Sequence, residues 1–130
     1  MALGVAYTLA ASTQISQYKA EALAHPSKYQ AALYEAIKKA ITDIVASEDL
    51  AFHRQFALGG DLAGIRRVKV MKRFRVFFIA SSSKKAARVL LIGFRKAGDK
   101  NDAYKDLGRR LINGEFDHAF AEIGMTKPSG

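Results

Sequence analysis

The chain contains no cysteine and only 2 prolines among its 130 residues. Without cysteine it has no disulfide framework, no thiol nucleophile and no cysteine-based zinc site, so a reducing compartment is allowed. With 10 glycines and so few prolines, collagen-like and Pro/Gly-rich disordered compositions are excluded. No stretch approaches the roughly 20 consecutive apolar residues that cross a bilayer. The opening MALGVAYTLAAS has no Lys or Arg ahead of its apolar run, and Tyr7 and Thr8 interrupt it, so it reads as mature protein rather than a signal peptide. A soluble, cytoplasmic protein with no membrane partner is expected. Acidic residues are also scarce, with 12 Asp and Glu against 21 Lys and Arg, a net charge of +9 that points to an acidic or polyanionic partner.

The excess of positive charge is confined to one region. Residues 1–60 carry five basic and five acidic side chains and sum to zero. Between Arg66 and Lys100 there are twelve Lys or Arg and a single acid, Asp99. Distant carboxylates can pair with some of these cations, but the region cannot be neutralised locally. A phosphate backbone would do so, and arginine suits it through bidentate donation.

The content of 49% hydrophobic residues supports a core for one domain over 1–130, in the order α-α-β-β-β-α. A helical hairpin is expected at 12–46: Ser12-Thr13 offers a first cap, His25-Pro26 a stop, and Ser27 with Gln30 a second capping box. Behind it Tyr29, Leu33, Ile37, Ile41 and Ile44 recur at helical spacing. A basic antiparallel sheet of three or four strands is expected at 65–95, from Ile65–Met71, Phe74–Ser81 and Val89–Phe94. Alternation places Val68 and Val70 on one face and Arg67 and Lys69 on the other, with Arg75, Phe77 and Ile79 opposite Phe74, Val76 and Phe78. Strands that are apolar on both faces need cover from both sides. C-terminal helices at 101–123, capped by Asp99 or Asn101 and interrupted at Asn113-Gly114, supply the second cover.

Basic residues on strands often serve only as solvated edges, and Lys72, Lys84, Lys85 and Lys96 fit that role. Arg67, Lys69, Arg75 and Arg95 flank apolar stretches, where a charge needs a partner or a purpose. Tyr104 fits a half-buried aromatic packed with Leu107 and Leu111, or a base-stacking or proton-transfer group. His25, His53 and His118 lack metal-ligand spacing, and no nucleotide-binding glycine motif or Ser-His-Asp arrangement is present. No metal or cofactor is expected.

The run GGDLAGIRRVKVMKRFRVFFIASSSKKAARVLLIGFRKAGDKNDAYKDLGRRL resembles the RelE/ParE superfamily of bacterial toxins. The phrases IVASEDLAFHRQFALGG, RFRVFF and DKNDAYKDLGRRLINGEFD are most similar to the YhaV-type toxins of type II toxin-antitoxin systems. The resemblance implies a RelE-like α+β fold and a metal-independent mRNA endoribonuclease, often working with the ribosome and held inactive by a cognate antitoxin. It implies attack by the ribose 2′-OH, with Lys69, Arg75, Arg95 and Tyr104 as candidate catalytic residues, and the need for a proton acceptor adds His53 to them. Lys69 or His53 would be the base, and Arg95, Lys96 or Lys100 would stabilise the leaving group. Arg66, Arg67, Arg73, Lys96 and Lys100 would contact RNA. The alternative is a ParE-like toxin or basic binding module that does no chemistry on RNA.

Overall fold

A strand reading FRVFFIAS has no polar face to offer water. In the computed structural model of the chain it lies at the centre of the fold, with seven of its eight residues buried. The structure describes residues 2–95 and 102–128. Within them run β1 (Gly4–Tyr7), α1 (Leu9–Ala24) and α2 (Tyr29–Ala40), which continues as a π-helical turn at Ile41–Val45. Two 3₁₀ turns follow, Arg54–Phe56 and Gly60–Leu62, then β2 (Arg66–Val70), β3 (Phe74–Ser81), β4 (Ala86–Phe94), α3 (Asp102–Ile112) and α4 (Asp117–Glu122). None of the described helices is long and apolar enough to cross a membrane.

The expected antiparallel meander is present, but the sheet has four strands in the order β1-β4-β3-β2, and β1 joins β4 in parallel. The sheet is therefore mixed rather than wholly antiparallel. The four residues of β1 are too short to show alternation, and their pairing with β4 spans most of the chain, so local pattern does not reveal them.

The same strand moves the start of the helical hairpin from residue 12 to Leu9. Its cap is Thr8 rather than Ser12 or Thr13, and the Thr8 hydroxyl accepts the Ala11 N–H at 3.1 Å while donating to the Leu90 carbonyl at 2.6 Å. One side chain thus closes the helix and ties it to β4. Six residues further on, the Gln14 amide both donates to the Ile92 carbonyl and accepts the Ile92 N–H, each at 2.8 Å. Gln14 acts as a surrogate strand, satisfying backbone groups of β4 beyond the end of β1. At α2 the cap position falls on Lys28, without a side-chain bond, so the capping box of Ser27 and Gln30 does not form. The proposed caps of α3, Asp99 and Asn101, lie outside the described residues.

The alternation along β3 divides the interior as expected. Phe74, Val76 and Phe78 join Leu33, Ile37, Ile41 and Val45 in one core beneath the hairpin. Phe77 and Ile79 join Leu107, Leu111, Phe116 and Phe120 in a second core beneath α3 and α4. A register shift opposite Phe77 and Phe78 lets the successive residues Leu90 and Leu91 both enter the second core.

The second core closes on Gly93. A Cβ there would stand 2.6 Å from Phe77 Cε2 and 3.0 Å from the Ala103 Cβ, so α3 can approach the sheet only because this position has no side chain. Gly93→Ala is therefore expected to destabilise the fold by about 1–3 kcal/mol through overpacking. Gly108 lies within α3 and a Cβ there meets open space, so Gly108→Ala should stabilise by about 0.5–1 kcal/mol. Thermal denaturation of the two variants beside the parent checks both signs.

Candidate functional site

Cross-strand register assembles the basic face from the residues upward. Lys69 of β2 pairs with Arg75 of β3, which pairs in turn with Gly93 of β4, while Arg67 lies opposite Phe77. Because strand side chains alternate, Arg67, Lys69, Arg75 and Phe77 share the face that α3 covers. Tyr104, on the first turns of α3, completes the group. Its ring meets Phe77 edge-on with centroids 5.6 Å apart, and its hydroxyl accepts a hydrogen bond from Arg67 Nη1 at 2.7 Å. The Arg67 guanidinium also lies 5.8 Å from the Tyr104 ring centre. The expected packing of Tyr104 is thus present, with the ring beside the second core, and its hydroxyl in addition engages a cation.

Arg75 is the anomaly of this face. It is only 4% exposed, the one charged residue buried among the described residues. Its Nη1 donates to the carbonyls of Lys72 and Phe74, at 3.2 and 2.9 Å, while its buried Nε has no hydrogen-bond partner. Among the described residues no carboxylate forms an ion pair with Arg75, Arg67, Lys69 or Arg66. A buried cation without a counter-charge is unfavourable for folding, and here the two backbone carbonyls offset that cost only in part.

The remaining predicted residues are dispersed. Arg66, one step along β2, points to the opposite face, where its guanidinium donates to the His53 carbonyl at 3.1 Å and lies 5.7 Å from the Phe52 ring centre. Burial holds that guanidinium below its usual pKa. Arg66 acts here as a clip between β2 and the segment before it. The His53 Nδ1 accepts the Gln55 N–H at 3.2 Å and caps the first 3₁₀ turn, and the ring meets Phe56 edge-on. His53 makes no hydrogen bond to Lys69, Arg75 or Tyr104.

Arg73 lies exposed in the β2–β3 turn, and its carbonyl accepts the Arg95 N–H at 2.7 Å, which sets Arg95 beside that turn. Lys96 and Lys100 lie outside the described residues. Two cations of the sheet's other end are paired: Lys85 bonds Glu48, and Arg88 bonds Glu122 at 2.9 Å, holding the Glu122 carboxyl below the usual carboxylate range.

Three features escaped sequence reasoning. Gly93 gives no signal beyond being a glycine in a strand, and Gln55 and Phe56 lie in a segment read as irregular. No group of three or more His, Asp or Glu among the described residues could hold a metal ion. The groups gathered around Arg67 are cations, an aromatic ring and a hydroxyl, which attract phosphate rather than a metal.

A family model described as a toxin with endonuclease activity, of toxin-antitoxin system, matches residues 6–127. No curated protein matches the chain in sequence. Among solved structures, the YoeB/ParE toxin from Agrobacterium tumefaciens superposes with a TM-score of 0.55 at 18% identity, over 72% of this chain and 100% of that one. That likeness establishes a common fold.

If Arg75 is held for function rather than stability, replacing it with an apolar side chain of similar length should cost the fold little. Arg75→Met is expected to change stability by no more than about 1 kcal/mol, with stabilisation the favoured direction. A loss beyond about 2 kcal/mol in chemical denaturation would instead make the guanidinium a structural tie through its two backbone bonds.

Proposed function

Because the chain belongs to the YhaV family of toxins with endonuclease activity, we propose that its substrate is RNA and that the face formed by Arg67, Lys69, Arg75 and Tyr104 cleaves it without a metal. The observation that carries this reading is the buried, unpaired guanidinium of Arg75 beneath a surface where Arg67 is already held by Tyr104. A scissile phosphate set against Arg67 and Lys69 would supply the missing anion, with Arg75 adding its charge from below.

The reaction transfers the phosphoryl group within the RNA. The ribose 2′-oxygen attacks the adjacent phosphorus, the bond to the 5′-oxygen breaks, and the products carry a 2′,3′-cyclic phosphate and a free 5′-hydroxyl. Arg67 and Arg75 stabilise the charge that accumulates on the non-bridging oxygens, joined by Lys69 once it has taken up a proton. A base must take the 2′-OH proton and an acid must return one to the 5′-oxygen. Lys69, exposed on the edge strand, is the base of this proposal, because the His53 Nδ1 already accepts a backbone N–H. Tyr104 is the acid: its oxygen accepts from Arg67, which leaves its own proton free to donate. Arg95, beside the β2–β3 turn, is the described candidate for stabilising the leaving oxygen.

As a member of a toxin-antitoxin family the protein has a cognate antitoxin as partner, and we place that partner's inhibitory contact over this face. Cytoplasmic mRNA, on or off the ribosome, is the proposed target.

Incubation with RNA in chelator should yield 2′,3′-cyclic phosphate ends, and a single 2′-deoxy substitution at the cleaved nucleotide should block the cut there. Removal of one charge-stabilising donor typically costs 10²–10³ in rate, so Arg67→Ala and Arg75→Ala should each lose at least about 100-fold. Lys69→Ala and Tyr104→Phe should fall by roughly 10²–10⁴. A translating extract serves as the substrate should free RNA resist cleavage. Full activity in all four folded variants would dismiss the site, and binding with steep salt dependence but no products would favour a non-catalytic module.

A further inference from the structure

Beyond the bridge between Ala57 and Arg66, the edge of β2 borders a groove of about 440 Å³, lined by Ile44 of the π turn, Gln55 and Phe56 of the first 3₁₀ turn, and Arg67, Val68 and Lys69. This volume falls within the roughly 300–1,000 Å³ of small-molecule sites. Arg67 and Lys69, placed above at the scissile phosphate, line the groove along the edge of the strand, where the two faces of the sheet meet. The other lining residues bring a different chemistry.

Phe56 is half-buried and packs against the first core, so its ring is held rather than free. Gln55 is exposed, and its backbone N–H donates to His53 while its side-chain amide makes no hydrogen bond among the described residues. A primary amide offers donors and an acceptor on one rigid edge. Cation, aromatic ring and free amide around one groove are the three elements a single-stranded nucleotide engages, through its phosphate, its base face and its base edge. No carboxylate lines the groove to repel it.

We propose that this groove is a nucleobase subsite: the base beside the scissile phosphate lies against Phe56, and Gln55 reads its edge. The inference rests on the RNA-cleaving role argued above. It assigns base preference to the turn at residues 54–56, while the sheet face supplies the sequence-blind chemistry.

The test uses binding and does not depend on cleavage. Single-stranded 2′-fluoro hexamers of each base, which lack the attacking hydroxyl, are compared by fluorescence anisotropy with an abasic hexamer of equal charge. The parent protein should bind at least one base-bearing hexamer about ten-fold more tightly than the abasic one, an effect of the size of a single stack. Gln55→Ala, at an exposed position, should alter the ranking of bases. Phe56→Leu, confirmed folded by thermal melting, should bring every hexamer close to the abasic affinity, which itself stays unchanged. Equal affinity for abasic and base-bearing hexamers overturns the subsite, as does a ranking that survives in both variants. RNA cleavage measured in parallel separates the two readings. Cleavage without base preference removes the subsite alone, and base preference without cleavage removes the catalytic role while leaving the subsite.

Discussion

Burial of β3 on both faces is the constraint from which the architecture follows. A strand carrying Phe74, Val76 and Phe78 on one side and Phe77 and Ile79 on the other cannot face water in either direction. One helical layer must therefore precede the sheet and another must follow it, and the chain supplies α1–α2 and then α3–α4. The close approach of α3 depends on Gly93, and that approach sets Tyr104 over Phe77 and within reach of Arg67. The proposed active face is thus a by-product of how the second core closes.

The same constraint explains why one arginine ends up without a counter-charge. Arg75 occupies a strand position whose neighbours along the face are apolar, so folding carries its guanidinium inside with them. Several carboxylates of the described chain pair with cations elsewhere. Glu48 and Glu122 quiet Lys85 and Arg88 near the far edge of the sheet, and Asp106 and Glu115 engage Arg109 and Arg110 along α3 and beyond it. Among the described residues, Lys85, Arg88, Arg109 and Arg110 are paired with carboxylates, whereas the cations of β2 form no ion pair. An antitoxin that inhibits by covering the β2 edge would meet cations first and an aromatic-lined groove beside them.

Strand faces were legible because alternation is a local property. The residues from Phe74 to Ser81 were read with the observed bounds, and the separation of Arg67 and Lys69 from Val68 and Val70 follows from the period of two. Tyr104 is legible as a residue type in a helix, and its packing against the second core follows from its spacing with Leu107 and Leu111, whereas its contact with Arg67 does not. By contrast β1, the Thr8 cap and the Gln14 surrogate strand all depend on β4, roughly eighty residues away, and no local pattern encodes such a pairing. Arg66 and Arg67 read alike in sequence, yet one clips a loop and the other meets Tyr104, because adjacent strand residues face opposite layers.

By itself the sequence determined the composition of each layer, the confinement of positive charge to the sheet region and the need for two helical covers, since hydrophobic period and charge are written residue by residue. The tertiary structure alone decided which cations keep their charge unpaired, and that Gln55 and Phe56 border the same groove as Arg67 and Lys69. Those outcomes arise from burial and from contacts between segments distant in the chain. Their energies depend on what each side chain meets, which no stretch of sequence contains.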